Sequence, residues 1–343
     1  MNLQLMKQAM HLFGFDELDC VILPFGNGLI NETWLIKANS KKYILQRINH
    51  YIFKKPENIA FNIRMLADYF RKNFPTYLFV STCTAIDGTD LVKTKTGYFR
   101  LFHFVEDSHT IDVIEDPAQA FEAAKQFGKF SALLSGFKTT DLKITLSDFH
   151  NLSLRFEQFE ISLKTGNSSR ILQSRNWIYF LLQQKNILSK YEICKNKFKL
   201  RCIHHDTKIS NVLFDEYDKG MCVIDLDTVM PGYFISDVGD MMRTYLCPVG
   251  EDEKDFSKIT IRKEFYDALV SGYLSEMEGE LSTNEKKHFH YAGVFMIYMQ
   301  ALRFLTDYIN EDVYYGAKYE GHNLIRAGNQ ITLLQKMIDF NPG

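Results

Sequence analysis

The stretch Ile203–Gly232 constrains this chain more than any other. It opens with His204-x-Asp206-x-Lys208-x-x-Asn211, set between an apolar run from Phe198 to Ile203 and a short strand-like Val212-Leu213-Phe214. A second apolar segment, Met221 to Ile224, reads as a strand that ends in Asp225, with Asp227 two residues on. Asp-rich turns after strands are common, and His-x-Asp alone carries little information. Four polar residues on one loop, followed by a hairpin and Asp225, form a conjunction with few purely structural explanations.

That set is what phosphoryl transfer from ATP needs: one Asp to take the proton of an attacking hydroxyl, and an Asn and a second Asp to hold Mg²⁺ against the phosphates. Asp206 is the expected base. A carboxylate of ordinary pKa about 4 is a weak base for an alcohol, so it acts by orienting the hydroxyl and accepting its proton late in the transfer. Lys208 can place its ammonium beside the moving phosphoryl group. Asn211 and Asp225 offer a neutral and a charged oxygen, which suit a hard divalent cation. His204 is expected to orient the loop. Asp227, taken as lying on the same strand face as Asp225, is held as a reserve ligand or supporting residue.

The same layout resembles the protein-kinase-like fold in its small-molecule branch, the aminoglycoside phosphotransferase and choline kinase superfamily. Within it the segments INETWLIKANSKKYILQRIN, HHDTKISNVLFD, VIDLDTVMPG, MRTYL, LRFLTDYINEDVYYG and GHNLIRAGNQ are most similar to N-acetylhexosamine 1-kinases. The resemblance spans nearly the whole chain. It implies an α+β, bilobal architecture: a small antiparallel-sheet N-lobe over 1–105, a larger, mainly helical C-lobe over 106–343, and nucleotide in the cleft between them.

Bulk properties fit such a chain. With 343 residues, 46% of them hydrophobic and 14% aromatic, it can bury a sizeable core and accommodate two lobes. A net charge of −2 gives no global basic field that would point to nucleic acid or an anionic membrane. No apolar run approaches the roughly 18–20 residues that span a bilayer. The first residues lack a signal-peptide core. Six cysteines without CxxC spacing read as reduced, mostly buried small hydrophobes. A cytoplasmic protein, monomeric or dimeric, is expected.

In chain order, Leu3 to Phe13 has helical spacing. Two strand-like runs, Val21–Leu23 and Glu32–Lys37, flank a turn carrying Gly26, Asn27, Gly28 and Asn31. A glycine turn lets backbone amides approach phosphates without interference from a Cβ, although such a turn is also an ordinary hairpin. A third strand, Tyr43–Ile48, stands where the kinase fold carries a phosphate-gripping lysine paired to a Glu on the next helix. This chain has Gln46 or Arg47 there and no Lys; Arg47 is the preferred cation, with Glu57 and Asn62 of the following helix Pro56–Phe70 as polar partners. Phe79–Cys83, Leu91-Val92 and Tyr98–Phe104 read as further strands. The resemblance implies that the backbone around His103–Val105, at the inter-lobe linker, meets the adenine edge. Beyond it, Pro117–Leu134, Leu154–Lys164, Ser169–Leu188, 261–279, 284–309 and Asn323–Phe340 read as helices. Asp237 and Asp240, following the metal hairpin, are read as braces for the catalytic loop.

The acceptor side is expected in the C-terminal third. An aminoglycoside would need carboxylates and a choline an aromatic cage. Near the expected pocket, Glu311-Asp312 is taken as the one acidic pair, beside Arg243, Arg303, Asp307, Tyr314, Tyr315 and Asn323. That set suits a neutral polyhydroxy ligand, with Arg243, Arg303, Tyr314 and Tyr315 as candidate sugar contacts. Arg303 and Asp307 would alternatively be an i,i+4 surface pair. The leading expectation is phosphorylation of the anomeric hydroxyl of an N-acetylhexosamine. The alternatives are a kinase of another small alcohol (aminoglycoside, choline or homoserine) and a nucleotide-binding pseudokinase. Replacing Asp206 by Ala or Asn is expected to leave folding and ATP binding intact while removing most turnover. Retention of more than about a tenth of kcat in steady-state assays would exclude Asp206 as the base.

Overall fold

The computed structural model describes residues 3–15, 20–26, 30–38 and 40–341. Its N-terminal part is a helix, α1 (Leu3–Leu12), and a five-stranded antiparallel sheet in the order β1-β2-β3-β5-β4. The strands are β1 (Cys20–Pro24), β2 (Glu32–Ala38), β3 (Lys41–Ile48), β4 (Val92–Thr94) and β5 (Gly97–His103). Phe79–Cys83, expected as a strand, contributes only a single bridge, Thr82 to Phe102, and a bond from Cys83 N to Leu101 O.

Strand alternation sorts the sheet into two faces. Trp34, Ile36, Tyr43, Leu45, Phe99 and Leu101 point to one face and form a small core with Met6, Ala9 and Met10 of α1. Thr33, Gln46 and Arg100, in register across three strands, point to the other. The second face looks toward the rest of the molecule.

Helix α2 (Pro56–Asn73) has Pro56 in its first turn, where the missing N–H costs no helix bond, and Glu57 favourably near the positive end of the dipole. Its apolar stripe, Ile59, Ile63, Leu66 and Phe70, is buried in a second, larger core shared with the C-terminal part. Phe70 lies 6.0 Å from Phe130 between ring centroids. Asn62, fully buried, donates to Lys143 O at 2.8 Å and Val229 O at 3.0 Å and accepts from Lys143 N at 2.8 Å. The expectation that Asn62 meets a sheet cation is therefore corrected. Its amide is consumed by C-terminal backbone, which would otherwise be buried without partners.

The C-terminal part begins at α3 (Pro117–Leu133), started by Asp116 and Gln119 in a reciprocal capping box. Next come α4 (Leu152–Thr165), α5 (Ser168–Gln173), α6 (Arg175–Gln183) and α7 (Asn186–Lys195). The single helix expected over Ser169–Leu188 is thus three pieces. Ser174 Oγ donates back to Arg170 O at 2.7 Å, the kind of local bond by which serine competes with helix continuation. Two short hairpin pairs follow: β6 (Arg201–Ile203) with β9 (Met230–Gly232), and β7 (Val212–Phe214) with β8 (Gly220–Val223). The remaining helices are α8 (Phe234–Tyr245), α9 (Lys263–Met277), α10 (Thr283–Lys286), α11 (Phe289–Ile309) and α12 (His322–Asp339). Helix α11 is buried almost all round, as a central helix must be. None of the described helices is long and apolar enough to cross a membrane.

Helices α3 and α9 meet backbone to backbone. A Cβ on Gly272 would stand 2.2 Å from Phe121 O, and one on Gly128 would stand 2.8 Å from Tyr273 O. Glycine here is a packing requirement, because neither carbonyl can give way without moving its helix. Gly272→Ala is expected to force the helices apart and lose ~1–3 kcal/mol in urea unfolding. Stability equal to the parent protein would show that this close approach is not needed.

Candidate active site

Strand β6 delivers the chain to His204, and the five residues from His204 to Lys208 are irregular. His205 adopts a left-handed backbone, φ +67°, which a non-glycine residue rarely takes unless neighbours hold it there. The hold comes from α8. The Asp237 carboxylate accepts from His204 N at 3.0 Å and His205 N at 2.7 Å. Thr207 N donates to Asp240 Oδ2 at 2.9 Å, Thr207 Oγ1 to Asp237 O at 2.8 Å, and Tyr245 Oη to Thr207 O at 2.7 Å. Asp237 and Asp240 therefore brace the loop, as read from the sequence. Burial pushes the Asp237 carboxyl up to about 7, against the pull of the two amides.

His204 is buried, donates Nε2 to Ile224 O at 2.9 Å and sets its ring edge-on to Phe127 at 5.1 Å. It orients the loop. His205 has its Nδ1 between Ile203 O at 3.2 Å and Thr228 O at 3.1 Å. Its ring also explains Gly232, where a Cβ would fall 2.5 Å from His205 Nε2.

Asp206 and Lys208 emerge together, with Lys208 Nζ 3.0 Å from the Asp206 carboxylate. Burial opposes charge on Lys208, but Asp206 and Asp240 outweigh it and hold the ammonium above its usual range. Asn211 donates its amide nitrogen to Asp206 O at 2.9 Å, which leaves its oxygen for a cation. Ile224 N donates to Asn211 O at 2.9 Å, so Asn211 and the strand before Asp225 are fixed to each other.

Asp225 sits just past β8 in a left-handed conformation, φ 59°, at the start of a short 3-10 turn, Leu226–Thr228. Asp227 is in that turn and not on a strand face shared with Asp225, which corrects the sequence reading. Burial first, then Asp227 and Asp206, raises the Asp225 carboxyl well above the usual carboxylate range, while Arg100 and Lys208 oppose the rise. This concentration of negative oxygen is what a divalent cation would relieve. Among the described residues no group of three or more His, Cys, Asp or Glu could hold a metal ion by itself. The Asp225 carboxylate and the Asn211 side-chain oxygen fit an ion such as Mg²⁺, which binds through one or two protein oxygens and takes its other ligands from water and phosphates.

The N-terminal side reaches this centre through two residues. Asn31 Nδ2 donates to Asp227 Oδ2 at 2.7 Å, while Asn31 Oδ1 accepts from Asn49 N at 3.0 Å. Arg100, 2% exposed, pairs with Asp227 and donates Nε and Nη2 to Gln46 Oε1 at 3.0 and 2.9 Å. Arg47 does not join them. It lies on the opposite face of β3 and ion-pairs with Glu32 at 2.7 Å, so the expectation that Arg47 is the cleft cation is corrected. Arg100 was missed because strand pairing, and not sequence position, brings it opposite Gln46.

Of the phosphate turn, Gly26 has φ +74° and Phe25 packs edge-on against Phe104 of the linker at 6.1 Å. Asn27 and Gly28 lie outside the described residues. His103 ends β5, its ring 5.2 Å from Tyr43. In the linker, Phe104 N is used by Lys42 O and Val105 O by Ser108 Oγ. Val105 N has no hydrogen-bond partner among the described residues.

Arg243 is held by Asp240 at 3.0 Å and Glu251 at 3.1 Å. Arg303 does not pair with Asp307. Asp307 instead accepts from Tyr314 N at 2.7 Å, Tyr315 N at 2.9 Å and Asn323 Nδ2 at 3.0 Å, shaping the tyrosine turn. Arg303 donates to Gln300 Oε1 at 3.1 Å and lies 5.3 Å from the Tyr315 ring, 5.9 Å from Tyr314 and 5.7 Å from Phe149. The sequence reading missed Phe149 and His150, which lie in a loop without periodicity. His150 is driven well below its usual pKa by burial and then by His205, Arg303, Arg243 and Arg155. The His150 ring lies 5.3 Å from that of His205, which places this loop beside the catalytic loop.

Burial likewise pushes the His205 ring down to about 4, against its two carbonyl bonds. An unfolded chain takes up that proton near pH 6.5, so the residue withdraws stability as pH falls from about 6.5 to 4. The unfolding free energy of the parent is expected to fall relative to His205→Gln across that window, with an NMR ring titration midpoint near 4. A midpoint of about 6 or above, the ordinary histidine range, would contradict this.

The fold has known counterparts. A spectinomycin phosphotransferase, in complex with ADP and spectinomycin, is 15% identical over 98% of both chains at a TM-score of 0.61. A microcompartment-associated aminopropanol kinase is 15% identical over 98% of both chains at 0.63. Choline kinase from Cryptosporidium parvum is 11% identical over 98% of this chain and 96% of that one at 0.58. At such identities the likeness is one of fold: bilobal and protein-kinase-like. Residues 21–280 match the pattern of the phosphotransferase enzyme family, and the chain belongs to that family.

Proposed function

We propose that this phosphotransferase uses ATP to phosphorylate the anomeric hydroxyl of an N-acetylhexosamine. The observation that carries the acceptor class is the wall beside the catalytic loop, built from arginine and aromatic side chains. A cationic acceptor would need free carboxylates or an open aromatic cage. The carboxylates present are already committed: Asp240 and Glu251 to Arg243, Glu251 also to Arg326, and Asp307 to backbone amides. Arg303 over Tyr315 and Phe149 offers hydrogen-bond donors next to ring faces, which suits neutral hydroxyl and amide oxygens.

ADP in the spectinomycin phosphotransferase supports a nucleotide donor in the equivalent cleft. There Val105 N would meet the adenine edge. Asn211 and Asp225 would hold Mg²⁺, which when bound neutralises charge on the phosphates. Asp206 would orient the acceptor hydroxyl and take its proton, with Lys208 beside the transferred group.

The test is a coupled ADP-release assay over N-acetylhexosamines, hexosamines, aminoglycosides, choline and homoserine, repeated with Arg303→Ala. The N-acetylated sugars should be the best acceptors. Losing a buried donor to a ligand oxygen costs ~1–3 kcal/mol, so Arg303→Ala should raise the sugar KM about tenfold while the ATP KM barely moves. Turnover with cationic acceptors alone would overturn the sugar assignment. An unchanged sugar KM in Arg303→Ala would move the pocket elsewhere.

A further inference from the structure

We propose that Arg100 supplies the N-lobe cation that grips the nucleotide phosphates, with Gln46 as its positioning residue. The inference rests on the nucleotide-dependent reading above. Phosphoryl transfer from ATP calls for a fixed positive charge from the sheet as well as one from the catalytic side. Among the cleft-facing residues of β3, Gln46 is neutral and can only accept or donate hydrogen bonds. Arg47 is turned to the other face and paired with Glu32.

Arg100 lies directly opposite Gln46 in the β3–β5 register, so both side chains leave the sheet on the cleft side. Gln46 Oε1 takes one edge of the guanidinium through Nε and Nη2, at 3.0 and 2.9 Å. That fixes the plane of the group and aims Nη1 at Asp227, two residues from Asp225. A guanidinium that is 2% exposed would be costly without such partners, and the arrangement spends both of them at the cleft. Gln46 Oε1 also leaves the charge undiminished, since an amide oxygen orients the cation without neutralising it.

Asp227 has a second donor, Asn31 Nδ2 at 2.7 Å, so it is not left bare if Arg100 shares its charge with an incoming phosphate. With Nε and Nη2 turned to Gln46, the Nη1 side of the guanidinium is the part left to share with a phosphate oxygen, in a charge-assisted bond whose direction the Gln46 contact fixes. Phosphates meeting Arg100 would thus be brought to the end of the cleft that carries Asp225 and Asn211.

The experiment measures binding of ATP and of adenosine to the full chain, with magnesium present, for the parent, Arg100→Gln, Gln46→Ala and Arg47→Gln. A phosphate-gripping Arg100 predicts that Arg100→Gln weakens ATP at least about tenfold, as expected for a lost charged hydrogen bond, and leaves adenosine within about twofold. Gln46→Ala should shift ATP in the same direction by less, and Arg47→Gln should shift neither. A merely structural ion pair with Asp227 predicts that ATP and adenosine weaken together. That outcome, or an ATP preference that survives Arg100→Gln, overturns the assignment. If Arg100→Gln shows no melting transition, Gln46→Ala decides, and an undiminished ATP preference there overturns it. A parent protein that binds neither ligand would sink the nucleotide reading itself, whereas a parent that prefers ATP with unaltered variants sinks only the role of Arg100.

Discussion

One buried carboxylate, Asp237, keeps the catalytic loop in a shape it would not otherwise hold. Two consecutive amides, of His204 and His205, converge on it from a stretch with a left-handed residue. Backbone amides buried without acceptors are costly, and a buried carboxylate without donors is costlier still, so each group makes the other tolerable. The carboxylate also lies in the first turn of α8, where the helix dipole favours negative charge. Everything that depends on the position of Asp206, and through it Asn211 and Lys208, depends on this contact.

The same economy of polar groups joins the sheet to the rest of the molecule. Asn31 and Arg100 both end on Asp227, and Asn62 closes on the backbone at Lys143 and Val229. Asp227 lies in the short Leu226–Thr228 turn and Val229 closes it, so three separate N-terminal elements grip the segment that presents Asp225. The acidic centre is thereby framed from both sides: the loop from α8, the turn from the sheet and α2.

The chemistry-bearing loop was legible because its residues are close in sequence, and so were the bracing acids Asp237 and Asp240 and the long helices with clear periodicity. What depends on pairing between distant segments was not. Nothing local distinguishes Arg47 from Arg100; only the β3–β5 register turns one to α1 and the other to the cleft. Asn62 looked like a polar residue on a helix facing the sheet, because its C-terminal partners are remote in sequence. Spacing along α11 also allowed Arg303 and Asp307 as an i,i+4 pair, but the backbone of the tyrosine turn claims Asp307. Phe149 and His150 have no pattern to announce them and become part of the site only through the fold around them.

The packing of α2 carries a consequence for motion. By chain order it belongs with the sheet, yet its apolar stripe lies in the large helical core, while most of the sheet's buried residues form a small core with α1 and only Ile48 at the end of β3 joins the large one. Local unfolding follows such divisions of the core more faithfully than it follows chain order. Such a division would put the compliant seam between the sheet and α2, and a cleft that opened there would do so by a tilt of the strands over a helix that stays with the body. In hydrogen exchange, the amides of α2 would keep company with those of α3 and α11, and the strands would open as their own unit.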